Sequence, residues 1–339
     1  MISATRLMSP APHRMVLEPR ELPAEPPPGG ILARAAVTAV SAGTEIANYE
    51  GRTAQRGPDS TEPYHPGYSF AGTVLAVGDG VTRFAAGDRI CGPLQHASHA
   101  IEARPERLAR ITRIPDGVAF EDAALTQIGC IVLNAVRMAR IELGDRVAVV
   151  GSGLIGLLAT RLAALSGGRS VTALDLLPAR VKLARRFGAE AALEPDDPGT
   201  PDELARMAPD GFDVVFEATG APAAVSSALR LAARGGRVVL LGSTRGLVTD
   251  FDPYADVHVK GATLLGAHVS TTPVAPTLRD RWTEAANRAF LLDLMASGTL
   301  TVGALISHRV APEQAPEAFA ALAARPADHL GVIIEWSSR

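Results

Sequence analysis

Three glycines and one carboxylate, spaced as a dinucleotide would need them, carry the clearest chemistry in this 339-residue chain. The β-branched run Arg146-Val-Ala-Val-Val meets Gly151-x-Gly153-x-x-Gly156, and an apolar stretch long enough for a helix runs on from Leu154. Gly151 permits a tight turn, Gly153 lets backbone approach a pyrophosphate, and Gly156 lets the helix lie close on the strand. The helix start adds unpaired N–H groups and a partial positive charge for the phosphates. A second strand, Ser170-Val-Thr-Ala-Leu, ends in Asp175, roughly 20 residues beyond the glycines, where a carboxylate accepts hydrogen bonds from an adenosine ribose. The same carboxylate repels a 2′-phosphate, and no arginine directly follows it; Arg180 comes a helical turn later. The combination points to NAD(H) rather than NADP(H), with Leu154 and Arg180 joining the glycines and Asp175 as candidate cofactor contacts. The competing role for Asp175 is to cap the helix that opens at Pro178.

The elements that must position these residues change character along the chain. Residues 1 to about 30 are proline-rich (Pro10, Pro12, Pro19, Pro23, Pro26 to Pro28), which predicts extended edge segments and turns. Ile31 to Val40 alternates as a strand, and a polar loop is expected from Ser41-Ala-Gly-Thr-Glu through Arg56-Gly-Pro-Asp. The segment from His65 reads as strand, turn at Gly78-Asp-Gly, then a further strand from Val81; Phe84-Ala-Ala-Gly-Asp-Arg-Ile repeats the pattern. Strands this short predict a small antiparallel barrel. From Ala119 the spacing becomes helical over Phe120 to Arg140, and the glycine turn follows. Pro178 to Phe187 reads as a helix stopped by Gly188, and Thr200-Pro-Asp-Glu203 as a capping box. Asp213-Val-Val-Phe-Glu reads as a strand, Ala223 to Ala233 as a helix and Gly236-Arg-Val-Val-Leu-Leu as a strand, with Thr263-Leu-Leu-Gly at the sheet's border. That alternation predicts a parallel, doubly wound sheet. The tail adds a helix from Arg281 to Met295, a strand from Leu305, a helix from Glu313 to Ala323 and a strand from Leu330.

Bulk composition removes several functions. Net charge is −3 with no basic block, which argues against a nucleic-acid surface. Lys182 and Lys260 are the only lysines, so a Schiff-base mechanism has few candidates. The start, Met1-Ile-Ser-Ala-Thr-Arg, lacks the apolar core of a signal peptide. The most apolar stretch, Val147 to Leu165, is interrupted by glycines and Arg161 and is no membrane span. Two cysteines, Cys91 and Cys130, make no disulfide framework, so a reduced, cytoplasmic, soluble protein is expected.

The order of motifs resembles the medium-chain dehydrogenase/reductase superfamily, the fold of zinc alcohol dehydrogenases. The likeness runs through Pro66-Gly67, Gly72-x-Val74, Val77-Gly78-x-Gly80-Val81, Gly87-Asp88-Arg89, Gly144-Asp145-Arg146-Val147, the Gly151 motif, Asp175, Phe216-Glu-Ala-Thr-Gly220 and Gly235-Gly-Arg-Val-Val-Leu-Leu-Gly242. It implies an α/β protein with a GroES-like β-barrel catalytic domain (residues 1–127 and 269–339) and a Rossmann domain for NAD(H) (residues 128–268). It further implies Ile155 behind the nicotinamide ring, backbone of Ala218, Leu241, Ser243, Ala267 and Val269 along it, and a homodimer or homotetramer. Ser41-Ala-Gly-Thr-Glu with Pro66-Gly-Tyr, Gly242-Ser-Thr-Arg-Gly246 and Asp256-Val-His-Val-Lys-Gly261 is most similar to the branch that includes bacteriochlorophyllide dehydrogenase.

The metal positions depart from that family. Zinc members carry Cys-Gly-Thr-Asp-like residues where this chain has Ala42-Gly43-Thr44-Glu45, and Gly-His-Glu where it has Gly67-Tyr68-Ser69. Their third ligand falls near Thr126 and Gln127, and the lobe of four closely spaced cysteines is absent. Catalytic zinc takes three protein ligands, so the resemblance implies a member without zinc; a site rebuilt from His65, His96, His99 and Glu62 stays open as the lesser alternative, since none has recognisable ligand spacing. Without the ion, hydrogen-bond donors must hold the developing oxyanion. Tyr68 stands at the histidine position, and Thr44 matches the hydroxyl that, in the family, bonds the substrate oxygen. The expected chemistry is Tyr68 as proton donor and acceptor with Thr44 as relay; the alternative is a structural tyrosine filling the void. Glu45 is expected to pair with an arginine, Tyr49 and Tyr64 to be loop or cleft-wall residues, Cys130 to be an apolar filler and His268 to be structural.

The expected activity is hydride transfer between NAD(H) and a small-molecule alcohol/ketone pair in specialised metabolism. A metal-free reductase of a conjugated C=C or C=N bond and an inactive nucleotide-binding protein stay open as alternatives, because fold does not fix function.

Overall fold

The proline-rich start forms extended chain: β1 (Ile2–Ala11) and β2 (Arg14–Leu22) pair antiparallel as a sheet of their own. The structure, a computed structural model, describes residues 1–53, 56–273, 275–278 and 280–336. After β3 (Ile31–Val40) the expected polar loop opens with a short helix, α1 (Thr44–Tyr49). Its apolar residues Ile46 and Tyr49 bury against Leu7, Met15, Val40 and Phe319, a pull that the polar composition of the segment conceals. Tyr49 is therefore a core residue, its hydroxyl donating to the His13 carbonyl at 2.9 Å, and not a loop or cleft-wall tyrosine.

β4 (Phe70–Val77) is followed by β5 (Arg89–Gly92), β6 (His99–Glu102), a one-turn helix α2 (Pro105–Leu108) and β7 (Thr112–Arg113). The strand expected from Val81 does not form. Gly80 (φ +82°) and Gly87 (φ +92°) reverse the chain twice within a few residues, and Val81 N–H turns back to the Gly78 carbonyl. The helix expected from Phe120 is two helices, α3 (Phe120–Ala124) and α4 (Thr126–Ala139), parted at Leu125.

Beyond α4 come β8 (Arg146–Val150), α5 (Leu154–Leu165), β9 (Ser170–Leu174), α6 (Pro178–Arg186), β10 (Ala191–Leu193) and α7 (Thr200–Met207). β11 (Phe212–Glu217), α8 (Pro222–Leu231), β12 (Ala232–Leu240) and β13 (Thr263–Gly266) complete a six-stranded sheet in the order β10-β9-β8-β11-β12-β13. Every neighbouring pair is parallel. Strand order reverses between β8 and β11, the switch point at which doubly wound sheets bind ligands. Thr200 is not the cap of α7: it is the first helical residue after Gly199, and its hydroxyl donates inward to the Glu194 carbonyl at 2.6 Å.

The chain ends with α9 (Glu284–Ala296), β14 (Ile306–Val310), α10 (Ala315–Ala324) and β15 (Gly331–Glu335). β15 enters the seven-stranded sheet of the first unit between β14 and β3, giving β14-β15-β3-β4-β5-β7 with β6 also on β3. Met1–Ile128 with Pro273–Arg339 forms one unit and Gly129–Thr272 the other. The first unit's second core gathers Ile31, Phe70, Ile90 and Ile111; the second's gathers Phe212, Val215, Leu229 and Val238. Among the described residues no helix is long and apolar enough to cross a membrane.

Candidate functional site

In the second unit the glycine turn closes on itself too tightly for side chains. Gly151 has φ +96°, and a Cβ there would lie 2.6 Å from Thr219 Cγ2. A Cβ on Gly156 would fall 1.8 Å from the Gly151 carbonyl oxygen. Gly153 precedes α5 as its N-cap, and no side chain caps that helix. The first N–H groups of α5, beginning at Leu154 and Ile155, are therefore left for an anion.

Asp175 follows β9 and is nearly buried. Its Oδ2 accepts from Ser152 N–H at 2.7 Å, inside the glycine turn, and its Oδ1 accepts from Leu177 N–H at 2.9 Å. The carboxylate thus ties the turn to the start of α6, and each oxygen retains a lone pair for a ribose hydroxyl. Arg180, on α6, brings Nη1 to 3.9 Å from where a Gly153 Cβ would stand. A cation therefore lies beside the turn, a proximity that sequence distance hides.

Ala218, Leu241 and Ala267 sit buried just past β11, β12 and β13, on the same edge of the sheet as the glycine turn. Their N–H groups donate to Val150, Glu217 and Leu240 carbonyls, so a ligand meets these residues through carbonyl or side chain. Ser243 is exposed, its hydroxyl accepting from Arg245 at 3.3 Å, and half-buried Val269 opens an otherwise exposed 3-10 turn (Val269–Thr271). Exposed His268 caps that turn, Nδ1 accepting from Ser270 N–H at 3.2 Å. Cys130 is buried.

Sequence reasoning passed over Glu217. This fully buried carboxylate ends β11 and accepts from Thr219 N–H at 2.7 Å, Gly220 N–H at 3.0 Å and the Thr244 hydroxyl at 3.3 Å. It pins together the two loops that follow β11 and β12. The signal was a lone acid closing an apolar strand, Val214-Val-Phe-Glu217.

In the first unit Tyr68 is half-buried in the segment leading into β4. Gly67 (φ +110°) presses that segment onto the chain at His96, where a Cβ would come 2.0 Å from His96 N. His96 N–H donates to the Pro66 carbonyl at 3.1 Å. Thr44 stands exposed as the first residue of α1. Glu45 does not pair with an arginine. It is fully buried against His96, with Oε2 2.9 Å from Nε2 and also accepting from Ser41 N–H at 3.3 Å, because α1 turns the carboxylate inward. Glu45 Oε1 and His96 Nδ1 are buried without partners. Burial, with Glu45 and Tyr68 nearby, pushes the Tyr64 phenol far above the usual tyrosine range. Tyr64, Tyr68 and the Glu45–His96 pair therefore share one neighbourhood.

Removing the carboxylate strands a buried imidazole. Glu45→Ala is expected to destabilise the fold by about 3 kcal/mol, and Glu45→Gln, which keeps an acceptor for Nε2, by less; urea denaturation followed by circular dichroism measures both. Equal losses would detach the effect from the hydrogen bond.

The donors present do not fit a catalytic zinc. Thr126 donates its hydroxyl to the Ala123 carbonyl at 2.6 Å, and the Gln127 side-chain oxygen is held by Arg288. Ala42 and Tyr68 offer no strong ligand, and among the described residues no group of three or more His, Cys, Asp or Glu is disposed to hold a metal. The glycine cradle, by contrast, fits a dinucleotide.

Residues 28–109 match the alcohol dehydrogenase GroES-like domain family, and residues 155–289 match the zinc-binding dehydrogenase family. D-guloside 3-dehydrogenase of Escherichia coli K12 is 27% identical over 256 residues, covering 75% of this chain and 72% of that protein. A probable zinc-binding alcohol dehydrogenase of Mycobacterium tuberculosis is 27% identical over 349 residues, covering 94% and 85%. A crystal structure of an Escherichia coli oxidoreductase of unknown specificity superposes with a TM-score of 0.82 at 18% identity, covering 98% of this chain and 99% of that one. The chain belongs to the medium-chain dehydrogenase/reductase superfamily. It is an oxidoreductase with a GroES-like part and a Rossmann-like parallel sheet.

Proposed function

We propose that this chain is a zinc-independent, NAD(H)-dependent oxidoreductase acting on a small-molecule alcohol/ketone pair. The observation that carries the reading is the cradle at the switch point: Gly156 backed by the Gly151 carbonyl, α5 uncapped, and Asp175 joined to the turn through Ser152 N–H. When bound, NAD(H) supplies or accepts the hydride. The N–H groups of α5 hold the pyrophosphate, with the Arg180 guanidinium beside them, and Asp175 takes the ribose hydroxyls. Tyr68 hydrogen-bonds the reacting oxygen and gives or takes its proton. A phenol titrates near pH 10, so at neutral pH it serves as a donor in the reductive direction. Thr44, at the exposed start of α1, passes the proton to water.

The test is a panel of ketones, aldehydes and enones with NADH or NADPH, followed by cofactor absorbance. Carbonyl turnover supports the proposal. Turnover of enones alone replaces it with a conjugated-bond reductase, and tight cofactor binding without any turnover replaces it with a nucleotide-binding protein. Asp175→Ala is expected to weaken NADH binding roughly tenfold, the loss of one charge-assisted hydrogen bond, and to narrow the preference over NADPH. A preference left intact in a calorimetric titration would remove Asp175 from the ribose.

A further inference from the structure

The first unit holds a buried arginine, Arg56, that meets no carboxylate among the described residues. Arg56 is 4% exposed. Its Nη2 donates to the Ser9 carbonyl at 3.1 Å, while Nε and Nη1 are buried without partners. A guanidinium carries five N–H donors, so most remain unmatched. Among the described residues no carboxylate lies within ion-pair distance of it. The contrast within the same unit is Arg288, equally buried but bonded to Glu284, Gln127 and the Arg110 carbonyl. Burying a charge without a counter-charge is unfavourable enough that such side chains are paired or bind something.

The site is built rather than incidental. Ser9 and Tyr64 exchange backbone hydrogen bonds at 2.8 and 2.9 Å, and the Ser9 carbonyl that accepts from Tyr64 also accepts from Arg56. The guanidinium then lies over the Tyr64 ring, 5.5 Å from its centre. Tyr64 is in turn the residue whose phenol responds to both Glu45 and Tyr68. Arg56 is thus one aromatic side chain away from the groups assigned to proton transfer. Glu45, whose Oε1 is also buried and unpartnered, acts on the same Tyr64 phenol.

We propose that Arg56 binds an anionic group of the substrate, a carboxylate or a phosphate monoester, and so selects an alcohol or ketone that carries one. The inference rests on the oxidoreductase reading of the preceding subsection, and the experiment separates the two. Inorganic phosphate and acetate serve as probes, titrated calorimetrically into the purified full-length protein with NADH present and absent. One or both anions should bind the wild type, the tighter one identifying the group, and Arg56→Met should weaken that binding at least tenfold while NADH binding stays unchanged. Arg56→Lys, which keeps the charge, should retain part of the affinity and serves if the methionine variant fails to fold. With substrates, the ratio of kcat/KM for an ω-hydroxy acid to that for the parent alcohol should fall at least tenfold in Arg56→Met. Absence of anion binding to a wild type that binds NADH, or equal affinity in wild type and both variants, overturns the proposal. Arg56-dependent anion binding in a protein that ignores NADH would leave it standing and remove the cofactor assignment instead.

Discussion

Tyr68→Phe is expected to lower kcat by about 10²–10³-fold, the range for a lost positioned proton donor, with NADH affinity unchanged. In zinc members of the fold the ion holds the developing alkoxide, but here Ala42 and Tyr68 occupy two ligand positions, and Gln127, near the third, is committed to Arg288. On the zinc-independent reading proposed above, hydrogen bonds alone stabilise the oxyanion, and the phenol at the histidine position is the proposed proton donor. Deleting one oxygen atom leaves the ring to fill the same space, so packing around Gly67 and His96 persists. The loss should fall on kcat and kcat/KM alike, as for an interaction made in the transition state. Steady-state kinetics beside a thermal melt decides it. A variant that turns over at the wild-type rate but melts lower would make Tyr68 a space-filling aromatic, and the proton would have to be sought at Tyr64 or Thr44.

What the sequence revealed and what it hid divide along the range of the interactions. The parallel sheet, the glycine turn and the position of Asp175 follow from patterns within a few dozen residues. Strand periodicity, a turn that admits only glycine and a carboxylate at the next strand's end are local constraints. The pairing of Glu45 with His96 spans 51 positions and that of Gln127 with Arg288 spans 161, and no periodicity reports either. The expectation that Glu45 meets an arginine came from charge alone. The fold instead turns α1 so that the carboxylate meets the His96 imidazole directly. Helix α1 itself was masked because its apolar residues, Ile46, Ala47 and Tyr49, are spread through polar ones and bury only by tertiary contact. Glu217 was visible as a residue and invisible as a clasp, since its acceptors are used by loops that follow two different strands. The unmatched charge on Arg56 is likewise a property of three-dimensional neighbours, because in sequence it is one arginine among many.

Two alanine substitutions in the glycine turn should separate folding from ligand binding. Gly156→Ala places a methyl group 1.8 Å from the Gly151 carbonyl oxygen, an atom of the same turn's backbone with no rotamer to yield. Either α5 lifts from β8 or the turn opens, and overpacking of this kind costs about 3 kcal/mol. Both the melting temperature and NADH affinity should fall, the latter at least about a hundredfold if the pyrophosphate contacts move by an ångström or more. Gly153→Ala differs in kind. Its φ of −72° suits any residue, and the nearest atom to the new Cβ is Arg180 Nη1 at 3.9 Å, at the end of a flexible side chain. The apoprotein should therefore melt as the wild type does. Yet the methyl group points into the space at the helix start where a pyrophosphate must approach backbone, so NADH affinity should drop at least about tenfold without any loss of stability. Calorimetry and a melt on the two variants resolve the matter. Should Gly153→Ala bind NADH as tightly as the wild type, the phosphates do not rest on this turn, and the assignment of α5 as the anion-binding helix falls with them.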